Sequence, residues 1–346
     1  MNKKKKAGIV IGILFTVALI VGFIIYKSIF SANTNFPEKE IYVKIPTGSD
    51  YDQILEIIKP FVKDIGKFKS VAEKRSYSEN VFPGRFMFKK GMNSFEMVTA
   101  LRHNEPLNLA FNNQESLEKL VSRLSSQMEI DSTTMINSFR DSVFMKANGF
   151  NEETILGMFI PNTYEVKWNI SPEKFREKMA NEYKKFWNDD RKAKAKALNM
   201  TPEQVITLAA IVHKETVKID ERPRVAGVYL NRLKLDMPLQ ADPTIIFALK
   251  KRDNDFNQVI KRVFSGDLII NSPYNTYLNI GLPPGPIAMP DISAIDAVLN
   301  AEKHNYIYFC ASVERFGYHE FAETFAEHGV WAKKYREWIA NQGVTR

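Results

Sequence analysis

The stretch from Ala7 to Tyr26 constrains this chain more than any other, because it is uncharged and almost wholly apolar. About twenty such residues in a helix cover the hydrocarbon core of a bilayer. A cleaved export signal has a shorter apolar region that ends at a small-residue cleavage site. Here the run continues into Tyr26-Lys27-Ser28-Ile29-Phe30 with no Ala-x-Ala site. Lys3 to Lys6 lie before it, and the positive-inside bias keeps such a segment cytoplasmic. Residues 1–30 are therefore expected to be a Lys-rich cytoplasmic N-terminus and a single-pass helix in the cytoplasmic (inner) membrane. Everything from about Lys27 onward is expected outside the cytoplasm. An uncleaved export signal with no anchoring role has the same topological consequence.

The formal charge of +8 suits an anionic partner, but four of the lysines sit together at positions 3 to 6. No base-reading motif accompanies them, so nucleic acid is excluded as the expected partner. The single cysteine, Cys310, lies in the apolar run Tyr306-Ile307-Tyr308-Phe309-Cys310 and reads as a buried strand residue.

Residues 31–38, Ser-Ala-Asn-Thr-Asn-Phe-Pro-Glu, read as a polar linker. Ile41, Val43 and Ile45 then alternate as on a half-buried strand. Pro46-Thr47-Gly48 turns the chain, and Ser49 is placed to cap a helix carrying Ile54, Ile57, Ile58 and Val62. A similar unit recurs at Arg85-Phe86-Met87-Phe88, Gly91 and a helix with Met97, Val98 and Leu101, where Asn93 and Glu96 form a capping-box pattern. Residues 39–104 thus read as a small α+β module with a strand–turn–helix repeat, bounded by Asn104-Glu105-Pro106. Beyond it, residues 114–148 read as helical. Ser171-Pro172 opens another helix, whose core stripe is Phe175, Met179, Tyr183 and Phe186.

Thr201-Pro202-Glu203-Gln204 is a strong helix start, with a Thr cap, Pro in the first turn and Gln at the third position. The helix puts Val205, Leu208, Val212 and Glu215 in one row by steps of three and four. A carboxylate thereby continues an apolar stripe. Burial disfavours its ionised form and raises its pKa, and a Glu protonated near neutral pH can act as a general acid. Spacing alone equally allows Glu215 to pair with a buried Arg or to cap a loop.

Three later segments suit a polar groove. Leu239-Gln240-Ala241-Asp242-Pro243-Thr244 combines an expected helix cap at Asp242 with the amide of Gln240. Tyr274-Asn275-Thr276-Tyr277 interleaves rings with short polar groups, as needed to stack on sugars and bond their hydroxyls. Gly281-Leu282-Pro283-Pro284-Gly285-Pro286 is a stiff loop that permits close ligand approach. Each could singly be an ordinary turn or cap.

These segments, with Ala209-Ala210-Ile211-Val212-His213-Lys214-Glu215-Thr216 and Asn231-Arg232-Leu233, resemble the YceG-like endolytic murein transglycosylases and occur in that family's order. The likeness extends upstream to Ile160-Pro161-Asn162-Thr163-Tyr164 and to residues 39–104, which look like the family's LysM-like subdomain. Downstream it reaches His319-x-Phe321. The resemblance implies an α+β fold in which residues 105–346 form a larger mixed catalytic domain. It also implies an endolytic cut at the MurNAc–GlcNAc bond of nascent peptidoglycan strands, leaving 1,6-anhydroMurNAc ends. One Glu serves as acid and then base, and it maps to Glu215. The candidate substrate-binding set is Gln240, Asp242, Tyr274, Asn275, Thr276, Tyr277, Pro284 and Gly285, with Gln240 and Asn275 as candidates for orienting polar groups and Tyr274 and Tyr277 for stacking. Implied partners are glycan strands, penicillin-binding synthases and other cell-wall machinery. The sequence departs from the family's Glu-Lys-Glu-Thr pattern at His213, which stands at the first Glu.

No cofactor is called for. His213-Lys214-Glu215 lacks the i, i+4 histidine pair of a zinc protease, and no metal site is expected. Two rival readings remain: a non-catalytic anchored scaffold that binds peptidoglycan, and an extracytoplasmic glycosidase that uses water.

Overall fold

The computed structural model of the protein describes residues 3–341, without the side chains of 3–7, 25, 28 and 29. The chain folds as α+β and divides into two compact units, 1–108 with 164–170, and 109–163 with 171–346. It passes between them in the strands β3 (Pro106–Phe111) and β4 (Asn162–Lys167), numbered here in chain order.

The first unit begins with α1 (Lys3–Phe30). Apolar side chains along it are open to solvent, among them Ile11, Phe15 and Phe23. Among the described residues no helix is long and apolar enough to cross a membrane. The expected span Ala7–Tyr26 includes Ala7 and Ile25, whose side chains lie outside the described residues, as do those of Lys3 to Lys6.

Next, β1 (Glu40–Ile45) pairs antiparallel with β2 (Gly84–Lys89), with Val43 opposite Phe86 and Ile45 opposite Gly84. Period-two burial turns Val43, Ile45, Phe86 and Phe88 inward. Against them pack α2 (Tyr51–Ile58), α3 (Ile65–Lys74) and α4 (Ser94–Ala100), which supply Ile54, Ile58, Phe68, Met97 and Val98 to one core. The Asn93–Glu96 capping box forms as the pattern demands. At α2 the cap is Asp50, not Ser49, because Asp50 makes a full box with Gln53.

The expected linker is instead stitched into this unit. Asn33 and Thr34 are buried. The Asn33 amide donates to the Asp64 carbonyl at 2.8 Å and to Ser94 Oγ at 2.9 Å, while its Oδ1 accepts from the Asp64 N–H at 2.8 Å. Thr34 Oγ1 accepts from the Gly91 N–H. A buried backbone must satisfy its polar groups, and the side chains of Asn33 and Thr34, with the backbone N–H of Asn35 on the Phe61 carbonyl, do so against two turns of the module.

The second unit is mainly helical: α5 (Leu117–Ser125), α6 (Ser132–Phe139), α7 (Ser142–Ala147), α8 (Pro172–Phe186), α9 (Asp189–Ala197), α10 (Pro202–Glu215), α11 (Arg222–Lys234), α12 (Asp242–Arg252), α13 (Ile292–Leu299) and α14 (Phe325–Asn341). A hairpin of β5 (Tyr308–Ala311) and β6 (His319–Ala322) completes it. Cys310, expected to be buried, is half-buried on this two-stranded hairpin. The core centres on α10, where every residue from Val205 to Val212 is buried. The row read from the sequence is thus only part of a helix enclosed on all sides, with α11, α12 and α13 packed around it.

Candidate active site

The enclosed α10 ends at Glu215, where its apolar sequence gives way to an extended Thr216. The N-terminus carries the Thr201–Gln204 box, so the helix is fixed at both ends. Beyond its last residue, the buried Arg222 donates from Nε to the Thr216 carbonyl at 3.3 Å. Such a terminus places Glu215 at the negative end of the helix dipole, which disfavours an anion there.

Glu215 is half-buried and faces a cavity of about 310 Å³ lined also by Tyr229, Arg232, Leu239, Gln240, Asp242, Tyr277, Tyr308, Phe309, Phe325 and His328. Loss of hydration pushes its pKa up from 4.5 to about 7. The Tyr229 hydroxyl, His319 and Arg232 pull the other way, and Asp242 adds to the rise. Tyr229 donates to Glu215 Oε1 at 2.6 Å. One carboxyl oxygen is thereby occupied, leaving Oε2 as the position for a transferable proton. Arg232 does not pair with Glu215. It is buried and donates to the backbone carbonyls of Ile307, Pro238 and Leu239 at 2.7 to 3.1 Å.

Of the residues selected from sequence, Gln240, Asp242 and Tyr277 join Glu215 around this cavity. Gln240 adopts the left-handed conformation, at φ +52°, which costs a non-glycine residue roughly 1 kcal/mol. Its N–H is anchored to the Thr276 carbonyl at 3.0 Å, and its Oε1 accepts from Arg232 at 3.4 Å. The expected cap at Asp242 is not formed. Ala241 is the cap, Asp242 is the first helical residue, and its carboxylate accepts from the Tyr277 hydroxyl at 2.5 Å.

The structure gives the other selected residues internal partners. Tyr274, Asn275 and Thr276 are almost completely buried. Tyr274 donates to Glu153 at 2.7 Å, so its ring is not available to stack on a sugar. The Asn275 amide holds the carbonyls of Leu268 and Ile270, both at 2.9 Å. Thr276 Oγ1 accepts from the Ala241 N–H and meets Thr244 Oγ1 at 2.8 Å, fixing the turn before α12. Gly285 is wedged against the Glu153 backbone, where a Cβ would collide with the carbonyl. Pro284 borders a different, larger hollow with Leu282, Leu230 and Leu233.

His213 is not on the cavity wall. Its ring bonds Asn113 on one side and meets Asp291 at 3.2 Å and Arg222 at 3.4 Å on the other. Burial would raise Asp291, but bonds from His213, Arg222 and Ser293 overcome this and hold it well below the carboxylate range.

Sequence reasoning missed Tyr229 and most of the far wall. A signal existed for α11, since Tyr229 and Arg232 are three apart and share a face. Tyr308, Phe309, Phe325 and His328 come from a hairpin and a helix about a hundred residues downstream, and nothing local marks them.

A model of the YceG-like family matches residues 43–334. A Bacillus subtilis (strain 168) protein named endolytic murein transglycosylase is 27% identical over 341 residues, covering 92% of this chain and 91% of that protein. Two Streptococcus pneumoniae proteins of the same name are 34% identical over 157 and 160 residues, 45% of this chain and 28% of each of theirs. The crystal structure of a YceG-like protein from Listeria monocytogenes is 26% identical, with a TM-score of 0.56 over 85% of this chain and 99% of that one.

Proposed function

The chain belongs to the YceG-like family, and on that footing we propose that it is a lytic transglycosylase that cuts peptidoglycan within its glycan strands. The observation that carries the reading is Glu215, a carboxyl with a pKa of about 7 on the wall of a polar cavity. The name shared by the Bacillus and Streptococcus relatives supports the substrate class.

Glu215, protonated on Oε2, donates to the glycosidic oxygen between MurNAc and GlcNAc as an oxocarbenium-like centre develops at the anomeric carbon. Its carboxylate then takes the proton of the MurNAc C6 hydroxyl, which attacks that carbon. The glycosidic bond breaks, the 1,6-anhydro bond forms, and Glu215 ends protonated as it began. The nucleophile belongs to the substrate, so proximity supplies its effective concentration and no water is consumed. Tyr229 steadies the carboxylate between the two transfers through its bond to Oε1. Gln240, Asp242 and Tyr277 are the proposed contacts to substrate hydroxyls and amides.

Asp242 also favours a second reading. Ordinary glycosidases use two carboxylates, and a second one stands in this cavity. Its bond to Tyr277 supports a binding role over water activation. Mass spectrometry of products from purified sacculi tests both: anhydro ends support transglycosylation, reducing ends support hydrolysis, and no cleavage supports the scaffold. Glu215→Gln is expected to slow release of anhydro ends by about a hundredfold or more. Release at the normal rate would refute the assignment.

The exposed apolar side chains of α1 support placing that helix in the cytoplasmic membrane, N-terminus inside, with the rest of the chain outside. Cell-wall synthases are the proposed protein partners in that location.

A further inference from the structure

Of the enclosed side-chain atoms that have no hydrogen-bond partner among the described residues, Nδ1 of His328 is the one on the wall of the Glu215 cavity. Other polar groups of that wall are committed: Tyr229 to Glu215, Arg232 to backbone carbonyls and Tyr277 to Asp242. A buried polar atom left unpaired is rare in a folded protein and asks for a function. Burial, and after it the charge of Arg232, holds the imidazole below the ordinary histidine range. A neutral ring donates from one nitrogen and accepts on the other, a pattern that hydroxyl and acetamide groups match.

The His328 ring is held flat. It stacks on Tyr308 with centroids 5.4 Å apart and planes at 22°. A half-turn about its Cβ–Cγ bond exchanges Nδ1 with Cδ2 and keeps the stack, so the nitrogen can leave its enclosed side for a ligand. Phe325, the first residue of α14, lies 6.3 Å from His328 and 5.9 Å from Tyr308 between ring centroids. It lines the same cavity, yet it is 72% exposed. An apolar ring left open beside an unpaired nitrogen suits a sugar, which offers a C–H face and a polar rim. It also supplies the stacking that the enclosed Tyr274 cannot. We infer that His328 and Phe325 form a sugar-binding subsite on the far wall of the Glu215 cavity, where Phe325 takes the C–H face of an N-acetylated sugar and His328 bonds its hydroxyl or acetamide. The inference rests on a glycan strand as substrate.

The test is the binding of fluorescently labelled, peptide-free glycan strands, read by anisotropy on the full chain in detergent micelles. A Glu215→Gln background prevents cleavage. His328→Phe keeps a ring against Tyr308 and removes both nitrogens. It is expected to weaken binding about three- to tenfold, the span of one lost hydrogen bond. It should melt no lower than its parent, because an apolar ring leaves no nitrogen unpaired. Phe325→Leu keeps apolar bulk without a flat face and is expected to weaken binding about fivefold, while Phe325→Tyr stays within about twofold. With Glu215 intact, His328→Phe should raise KM by more than it lowers kcat. Unchanged strand affinity in His328→Phe or in Phe325→Leu overturns the inference. So does a loss of affinity in His328→Phe that comes with a lower melting temperature, since the ring would then be structural. The binding measurement needs no turnover. A wild-type chain that binds strands but leaves sacculi uncut would count against the proposed function alone, with the subsite still judged on these affinities.

Discussion

Replacing Glu215 by Gln should stabilise the protein, and only at high pH. Below about pH 4.5 the side chain is protonated in both folded and unfolded chains, so its titration contributes nothing. Between 4.5 and about 7 the unfolded chain ionises while the folded one keeps its proton. The folded state then binds more protons, so stability falls as pH rises through this window and is flat above it. A rise of about 2.5 pH units at about 1.36 kcal/mol each corresponds to about 3 kcal/mol at pH 8. Gln cannot ionise and escapes this penalty. Its amide can still accept from Tyr229, and the other groups titrate alike in both proteins and cancel to first order. Paired calorimetric melts at pH 4 and pH 8 read the effect. The variant should match wild type at pH 4 and melt about 5 °C or more higher at pH 8. A difference that fails to grow with pH would refute the claim that burial keeps Glu215 uncharged.

Tyr229→Phe removes a bond that favours the anion, so the basic limb of kcat/KM should move up by about one pH unit from about 7, as pH–rate profiles on glycan strands will show. Asp242→Asn removes the charge that holds the Glu215 proton on, and the same profile should move down, with a slower rate at pH 7. Asn33→Ala leaves the Asp64 N–H and carbonyl without their partner and should destabilise the first unit by about 2 kcal/mol, detected as faster limited proteolysis there.

What could be read from the sequence was local. The boxes at Asn93–Glu96 and Thr201–Gln204 depend on residues three apart, and both form. Glu215 could be found because a helix repeats every 3.6 residues, so one carboxylate in an apolar row is conspicuous. The 274–277 loop has no such period. Which of its four side chains turns outward is decided by Glu153 and by the carbonyls of 268 and 270, and only Tyr277 reaches the cavity. Asp242 was misread as a cap for a related reason: a helix can begin one residue earlier on a backbone held by Thr276, freeing the carboxylate. The far wall depends on tertiary packing of β5 and α14. The linker at 31–38 looked free because its polar residues suit solvent as well as they suit turns.

That misread segment has a mechanical consequence. Because residues 33–35 are bonded to positions 61–64 and 91–94, α1 joins the first unit with almost no slack. With α1 seated in a bilayer, this unit would ride close to the lipid as if on a short mast, not swing on a rope. Inserting flexible residues after Phe30 would lengthen its reach; inserting them after Asn33 would have to tear the stitching first.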